Sequence, residues 1–214
     1  MYINTVIFDL DGTLLYTLED LTDSVNYVLN QNGYAQRTLE EVKNFVGNGV
    51  PLLIKRVLPE GVNDLTFNKC LEEFKNYYSE NMYNKTKPYD GIINLLEQLK
   101  KSGYKIGVVS NKFDYAVKKL CIKYFNDLID ISVGQKDGIE PKPSPDTVFE
   151  VIKRLNSTAN ECIFVGDSEV DIDTANNAEI PCLSVVWGYK TVGFLYEHGA
   201  TNLIYEPEDI LELI

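Results

Sequence analysis

Apolar residues fall along the chain in two rhythms. One is a short, nearly unbroken run, as at Tyr2–Leu10, Lys105–Ser110, Leu128–Val133, Cys162–Gly166, Cys182–Trp187 and, more weakly, Asn202–Tyr205. Runs of this length, rich in β-branched residues, predict strands buried on both faces of a parallel sheet. The other rhythm is helical: Ile92, Leu95, Leu96 and Leu99; then Phe113, Val117, Leu120, Cys121 and Tyr124; then Val148, Val151, Ile152 and Leu155. That spacing puts each set on one face of an amphipathic helix. Strand alternating with helix makes the expected fold α/β, a doubly wound and mostly parallel sheet.

One interval breaks the alternation, because it carries helical patterns alone. Its faces are Leu18, Leu21, Val25, Val28 and Leu29; then Val50, Leu53, Ile54 and Val57; then Phe67, Cys70, Leu71, Phe74 and Tyr78, with Tyr77 beside them as further bundle core. Thr17-Leu18-Glu19-Asp20 and Thr38-Leu39-Glu40-Glu41 have the form of capping boxes that open two of these helices. The expected organisation is a discontinuous α/β core, residues 1–15 and 84–214, carrying an inserted all-helical cap at 16–83.

Composition narrows the function. The 214 residues are 44% hydrophobic and 24% charged, as in a folded globular protein of one large domain or a main domain with a smaller one. Against 32 Asp and Glu stand 20 Lys and Arg, a net charge of −12, so the chain has no electrostatic basis for gripping nucleic acid or an anionic membrane. With no run of about 20 apolar residues and no basic leader, a cytoplasmic location is expected. Cys70, Cys121, Cys162 and Cys182 include no CxxC pair and read as reduced core residues. The single histidine, His198, reads as a surface helix end. Any chemistry falls to carboxylates, lysines and hydroxyls.

Ligands of doubly wound sheets bind beyond the carboxyl ends of the strands. Asp9, Asp11, Gly12 and Thr13 follow the first run, Ser110, Asn111 and Lys112 the second, and Gly166, Asp167, Ser168 and Asp171 the fourth. Lys142 lies between the third and fourth, framed as Glu140-Pro141-Lys142-Pro143-Ser144-Pro145. Carboxylates converging there would repel one another unless a cation sat between them, and Mg2+ suits a site of few carboxylates, water and a phosphate oxygen. Lys142, Ser110, Asn111 and the backbone around Gly12 would supply the donors an anion needs. Each fragment alone has a plainer meaning as a turn, a helix cap or a solvated lysine. In this order and at strand ends, they point to phosphoryl transfer.

The same four segments resemble the motifs of the haloacid-dehalogenase-like hydrolases, in order and over essentially the whole chain. The resemblance is closest to the phosphoglycolate phosphatase branch, to which Val46-Gly47-Asn48-Gly49, Arg56 and Trp187-Gly188-Tyr189 are also similar. It implies a Rossmann-like core with a helical cap and a Mg2+-dependent phosphatase of a small phosphorylated metabolite, phosphoglycolate first, working through an aspartyl-phosphate. By the same resemblance Asp9 is the nucleophile, Asp11 the general acid/base, and Ser110 and Lys142 the phosphate ligands, with Gly12 and Asn111 beside them. Asp9, Asp167 and the Asp11 carbonyl would hold the metal, Asp171 would support it from behind, and Gly47, Asn48 and Arg56 would meet the substrate from the cap. Pyrophosphate or nucleotide hydrolysis stays open, since these motifs are shared. A sugar-phosphate mutase is disfavoured because Val50 stands where the resembling mutases carry arginine. A non-catalytic phosphate-binding regulatory module is disfavoured because Asp9 and Asp11 are both present. The chain departs from common family wording at Tyr16-Thr17, where Asp-Ser is frequent. A monomer or weak homodimer is expected.

Overall fold

The structure, a computed structural model, describes residues 3–214. In chain order the elements are β1 (Thr5–Phe8), β2 (Leu15–Tyr16), α1 (Leu18–Gln31), α2 (Leu39–Phe45), α3 (Val50–Val57), α4 (Asp64–Asn81) and β3 (Lys87–Pro88). There follow α5 (Ile92–Lys101), β4 (Lys105–Phe113), α6 (Asp114–Phe125), β5 (Ile131–Gln135), α7 (Asp146–Arg154), β6 (Cys162–Gly166), α8 (Glu169–Asn177), β7 (Cys182–Val185), α9 (Val192–Glu197), β8 (Leu203–Ile204) and α10 (Ile210–Leu213). Tyr2, where the first strand was expected to begin, lies outside the described residues.

Six strands form one parallel sheet in the order β5-β4-β1-β6-β7-β8. The order reverses direction at β1, which places Asp9 at the crevice where such sheets bind ligands. Alternation along β1 explains the two layers. Val6 and Phe8 join the apolar cluster of α5 and α6, while Ile7 joins that of α7 and α8. The first cluster continues through Leu10, Leu14 and Leu15 into the buried faces of α1, α3 and α4.

Three expected elements differ in detail. The run at Leu128 yields a strand only from Ile131, because Asn126–Leu128 form a 3-10 turn and the Asp130 carboxylate accepts the Ile106 N–H at 2.7 Å. The run from Lys105 extends to Phe113, so Ser110, Asn111 and Lys112 lie within β4 rather than after it. They occupy a register shift between Val109 and Phe113, past the last residue pair with β1, and such irregularities re-aim side chains. Thr17 makes no capping bond: its backbone is helical and its side chain is used elsewhere, whereas the Thr38–Glu41 capping box forms in full.

The four helices α1 to α4 leave and rejoin the sheet through the β2–β3 ribbon, where Leu15 pairs Pro88 and Tyr16 pairs Lys87. Asp20, expected in a cap, instead ties the two crossings together. Its buried carboxylate accepts from the Lys85 N–H at 3.0 Å, the Thr86 N–H at 2.9 Å and the Thr86 hydroxyl at 2.8 Å. All four cysteines are free, and His198 is exposed at the end of α9. Among the described residues no helix is long and apolar enough to cross a membrane.

Candidate active site

The structure brings together every motif of the sheet edge. Asp9 leaves β1, Asp167 leaves β6, and Asp171 returns to them on the first turn of α8, whose capping box with Ser168 fixes its orientation. Lys142 reaches in from the proline-framed loop. Its Nζ donates to Asp9 Oδ1 and Asp171 Oδ1, both at 2.6 Å, and its side chain is only 3% exposed. Carboxylate oxygens of Asp9, Asp167 and Asp171 lie within 4.8 Å of one another, all three residues buried.

That crowding has an electrostatic consequence. Burial pushes the Asp9 carboxyl up to about 7, with Lys142 pulling it down and Asp171 and Asp11 adding to the rise. Asp167 is raised well above the carboxylate range by burial, then by Asp171 and Asp9. Burial alone would lower Lys142, but Asp171 and Asp9 outweigh it and hold the ammonium above its usual value. Three buried carboxylates thus crowd together with one lysine bonded to two of them, and an all-oxygen set of this kind fits a hard divalent cation such as Mg2+.

Two glycines admit Asp167 to the site. Gly12 has φ +91°, and a Cβ there would stand 2.5 Å from Asp167 Oδ2; a Cβ at Gly188 would overlap the same carboxylate. The carboxylate also accepts the Tyr189 N–H at 2.7 Å, while the Trp187 indole donates to the Thr13 carbonyl at 3.0 Å. The Trp187-Gly188-Tyr189 segment therefore clasps the first motif against the end of β6.

Asp11 stands apart from the acid cluster. Its Oδ1 accepts from Lys112 Nζ at 2.9 Å and from the Thr17 hydroxyl, and its Oδ2 lies 3.5 Å from the Ser110 hydroxyl. Lys112 is 2% exposed, with its ammonium 4.7 Å from the centroid of Tyr78 on α4. Ser110 is buried in the cavity wall.

Several sequence expectations need correction. Asp171, expected only behind the metal ligands, brings its carboxylate into one cluster with Asp9 and Asp167, while the Asp11 carboxylate turns to Lys112 and Thr17. The Asn111 amide is spent on backbone: it donates to the Lys142 carbonyl at 2.9 Å and to the Gly47 carbonyl at 3.2 Å, and it accepts the Lys142 N–H at 2.7 Å. It positions Lys142 instead of offering its side chain to an anion. The Gly12 N–H is likewise committed, to the Leu15 carbonyl at 2.9 Å. From the helical insertion, Gly47 and Gly49 of the α2–α3 loop and Val50 and Leu53 of α3 line the cavity, but Asn48 and Arg56 do not. Arg56 sits in the last turn of α3, away from the N-terminal end that faces the cavity, and donates to the Phe45 carbonyl at 2.9 Å. From sequence, Thr17 was expected only as a helix cap, and Lys112, Tyr189 and Lys190 had no individual role in the site. Lys112 and Tyr189 did stand within recognised motifs, whereas the hydroxyl contact of Thr17 had no local signal.

Comparison with known proteins gives the family. Residues 6–185 match the family described as haloacid dehalogenase-like hydrolase. A phosphoglycolate phosphatase of Aquifex aeolicus is 32% identical over 98% of this chain and 95% of its own length. One from Mesorhizobium japonicum is 31% identical over 86% of this chain and 83% of its own. Among solved structures, a candidate phosphoglycolate phosphatase from Lactobacillus delbrueckii subsp. bulgaricus superposes with a TM-score of 0.94 at 37% identity, covering 100% of this chain and 99% of its own.

Proposed function

The chain belongs to the haloacid dehalogenase-like hydrolases and is a phosphoric monoester hydrolase, and from that premise we propose a Mg2+-dependent phosphatase of a small ester, phosphoglycolate first, that works through an aspartyl-phosphate. The observation that carries this reading is the Lys142 ammonium bridging Asp9 and Asp171 at 2.6 Å in a buried pocket beside Asp167. It is an anion site built around a carboxylate nucleophile.

In this reading Asp9, Asp167 and the Asp11 carbonyl, with Asp171 beside them, would hold the cation. When bound, Mg2+ neutralises phosphoryl oxygens and keeps the carboxylates ionised. Lys142 turns from Asp9 toward the incoming phosphoryl group, and the Ser110 hydroxyl donates to it. Asp9 attacks phosphorus as the bond to the leaving oxygen breaks, and Asp11 gives that oxygen its proton. Lys112 and Thr17 occupy Oδ1, which leaves Oδ2 for the proton. Water then attacks the aspartyl-phosphate, Asp11 takes a proton from it, and phosphate leaves with Asp9 restored. Residues 16–83 act as a cap that shuts over the site during the first step and opens for the second.

The test is phosphoglycolate and 4-nitrophenyl phosphate turnover with Mg2+, followed by rapid-quench mass spectrometry. Phosphate should be trapped on Asp9, more so in Asp11→Asn with the activated ester, and Asp9→Asn should form none. Phosphate on another residue, or turnover by Asp9→Asn, would refute the assignment.

A further inference from the structure

Three lysines line the catalytic cavity, and two are fully committed. Lys142 is shared between Asp9 and Asp171, and Lys112 holds Asp11. Lys190 differs. Among the described residues it pairs only with Glu169, with Nζ 3.7 Å from Oε2, too long for a hydrogen bond. Glu169 Oε2 is itself buried and without any hydrogen-bond partner. The lysine side chain is only 16% exposed, and its ammonium rests 4.9 Å from the Phe194 ring. A lysine of the cavity wall is therefore held from behind by a ring and a carboxylate while its ammonium makes no hydrogen bond among the described residues.

The cavity that Lys190 lines leaves the ammonium donors open to an incoming ligand. From the helical insertion its wall is apolar, Leu21, Val46, Val50 and Leu53, and presents no carboxylate to Lys190. It is also small, about 50 Å3, which suits a short leaving group better than a long one. We propose that Lys190 is a specificity residue that binds a carboxylate on the leaving group of a short phosphomonoester. The inference rests on the phosphatase reading above and adds to it the residue that selects the ester.

Because Lys190 would meet the leaving group and not the phosphoryl group, its removal should change discrimination. The probe is the ratio of kcat/KM for phosphoglycolate to that for 2-hydroxyethyl phosphate, which has an uncharged leaving group. Both are measured on one sample, so the ratio is independent of the folded fraction. Lys190→Met should lower the ratio about 10- to 100-fold, the worth of a hydrogen-bonded charge pair, chiefly through KM. Lys190→Arg should recover much of it. Lys190→Glu should move the preference toward 2-aminoethyl phosphate, whose leaving group is cationic. A ratio within about twofold of wild type in the Met variant would overturn the inference, as would a wild type that hydrolyses 2-hydroxyethyl phosphate but not phosphoglycolate. A wild type that turns over neither ester would instead refute the phosphatase reading, and this inference with it.

Discussion

Lys112 donates to Asp11 Oδ1 at 2.9 Å from a position 2% exposed, beneath the ring of Tyr78. The pair joins a β4 residue to the carboxylate proposed as general acid, and the aromatic neighbour comes from α4. Contact with the helical insertion thus bears directly on the orientation of Asp11.

Removing this lysine should strand a carboxylate. Lys112→Met is expected to cost about 3 kcal/mol in urea unfolding, because breaking one side of a buried ion pair leaves the other uncompensated. Asp11→Asn combined with Lys112→Met should be less destabilised than the lysine variant alone. Equal or greater loss in the double variant would show that the pair is not coupled.

Asn111 is expected to act through Lys142. Lys142→Ala should lower kcat about 10²–10³-fold, the scale of one lost electrostatic donor. Lys142→Arg should rescue little, since a planar guanidinium cannot replace a compact ammonium between two carboxylates. Asn111→Ala should also slow turnover, and adding it to Lys142→Ala should cause little further loss. Independent, multiplying effects in kinetic assays would return Asn111 to a direct role.

Gly188→Ala would drive a methyl group into the Asp167 carboxylate. Overpacking of this kind costs about 1–3 kcal/mol, and here it should also raise the Mg2+ concentration needed for half-maximal activity. A Mg2+ titration and a thermal melt separate the two effects. Normal metal dependence would mean that Asp167 can move aside freely.

Metal should also register without turnover. Mg2+ is expected to raise the Tm by mass action, and chelation should abolish hydrolysis. Asp171→Asn should weaken the dependence of Tm on Mg2+ by about 10- to 100-fold in concentration, the usual effect of altering a supporting carboxylate. A Tm insensitive to Mg2+ in the wild type would argue against the acid cluster as a cation site.

Arg56 supplies a contrary case. Its bond to the Phe45 carbonyl gives it a structural task, so Arg56→Ala should cost about 1 kcal/mol of stability. Its kcat/KM should remain within about twofold of wild type for each ester. A selective change in one substrate would restore the substrate contact expected from sequence.

What the sequence determined by itself was set by local patterns of burial. Val50, Leu53, Ile54 and Val57 had to share one face of a helix, and the β-branched runs had to become buried strands, because apolar side chains at those periods have one way to leave water together. The motif order likewise placed Asp9, Ser110, Lys142 and Asp167 at the sheet edge. The tertiary structure alone decided which polar groups meet. Lys142 and Asp9 are 133 residues apart, and Thr17 and Tyr189 are 172 apart, so no local spacing encodes either contact. Lys112, Lys190 and Arg56 carry the same kind of long, cationic chain, yet one pairs with Asp11, one faces the cavity with unspent donors, and one caps a backbone carbonyl. A flexible charged side chain goes where the assembled fold offers it a counter-charge or an acceptor. That field exists only after the strands and helices have packed.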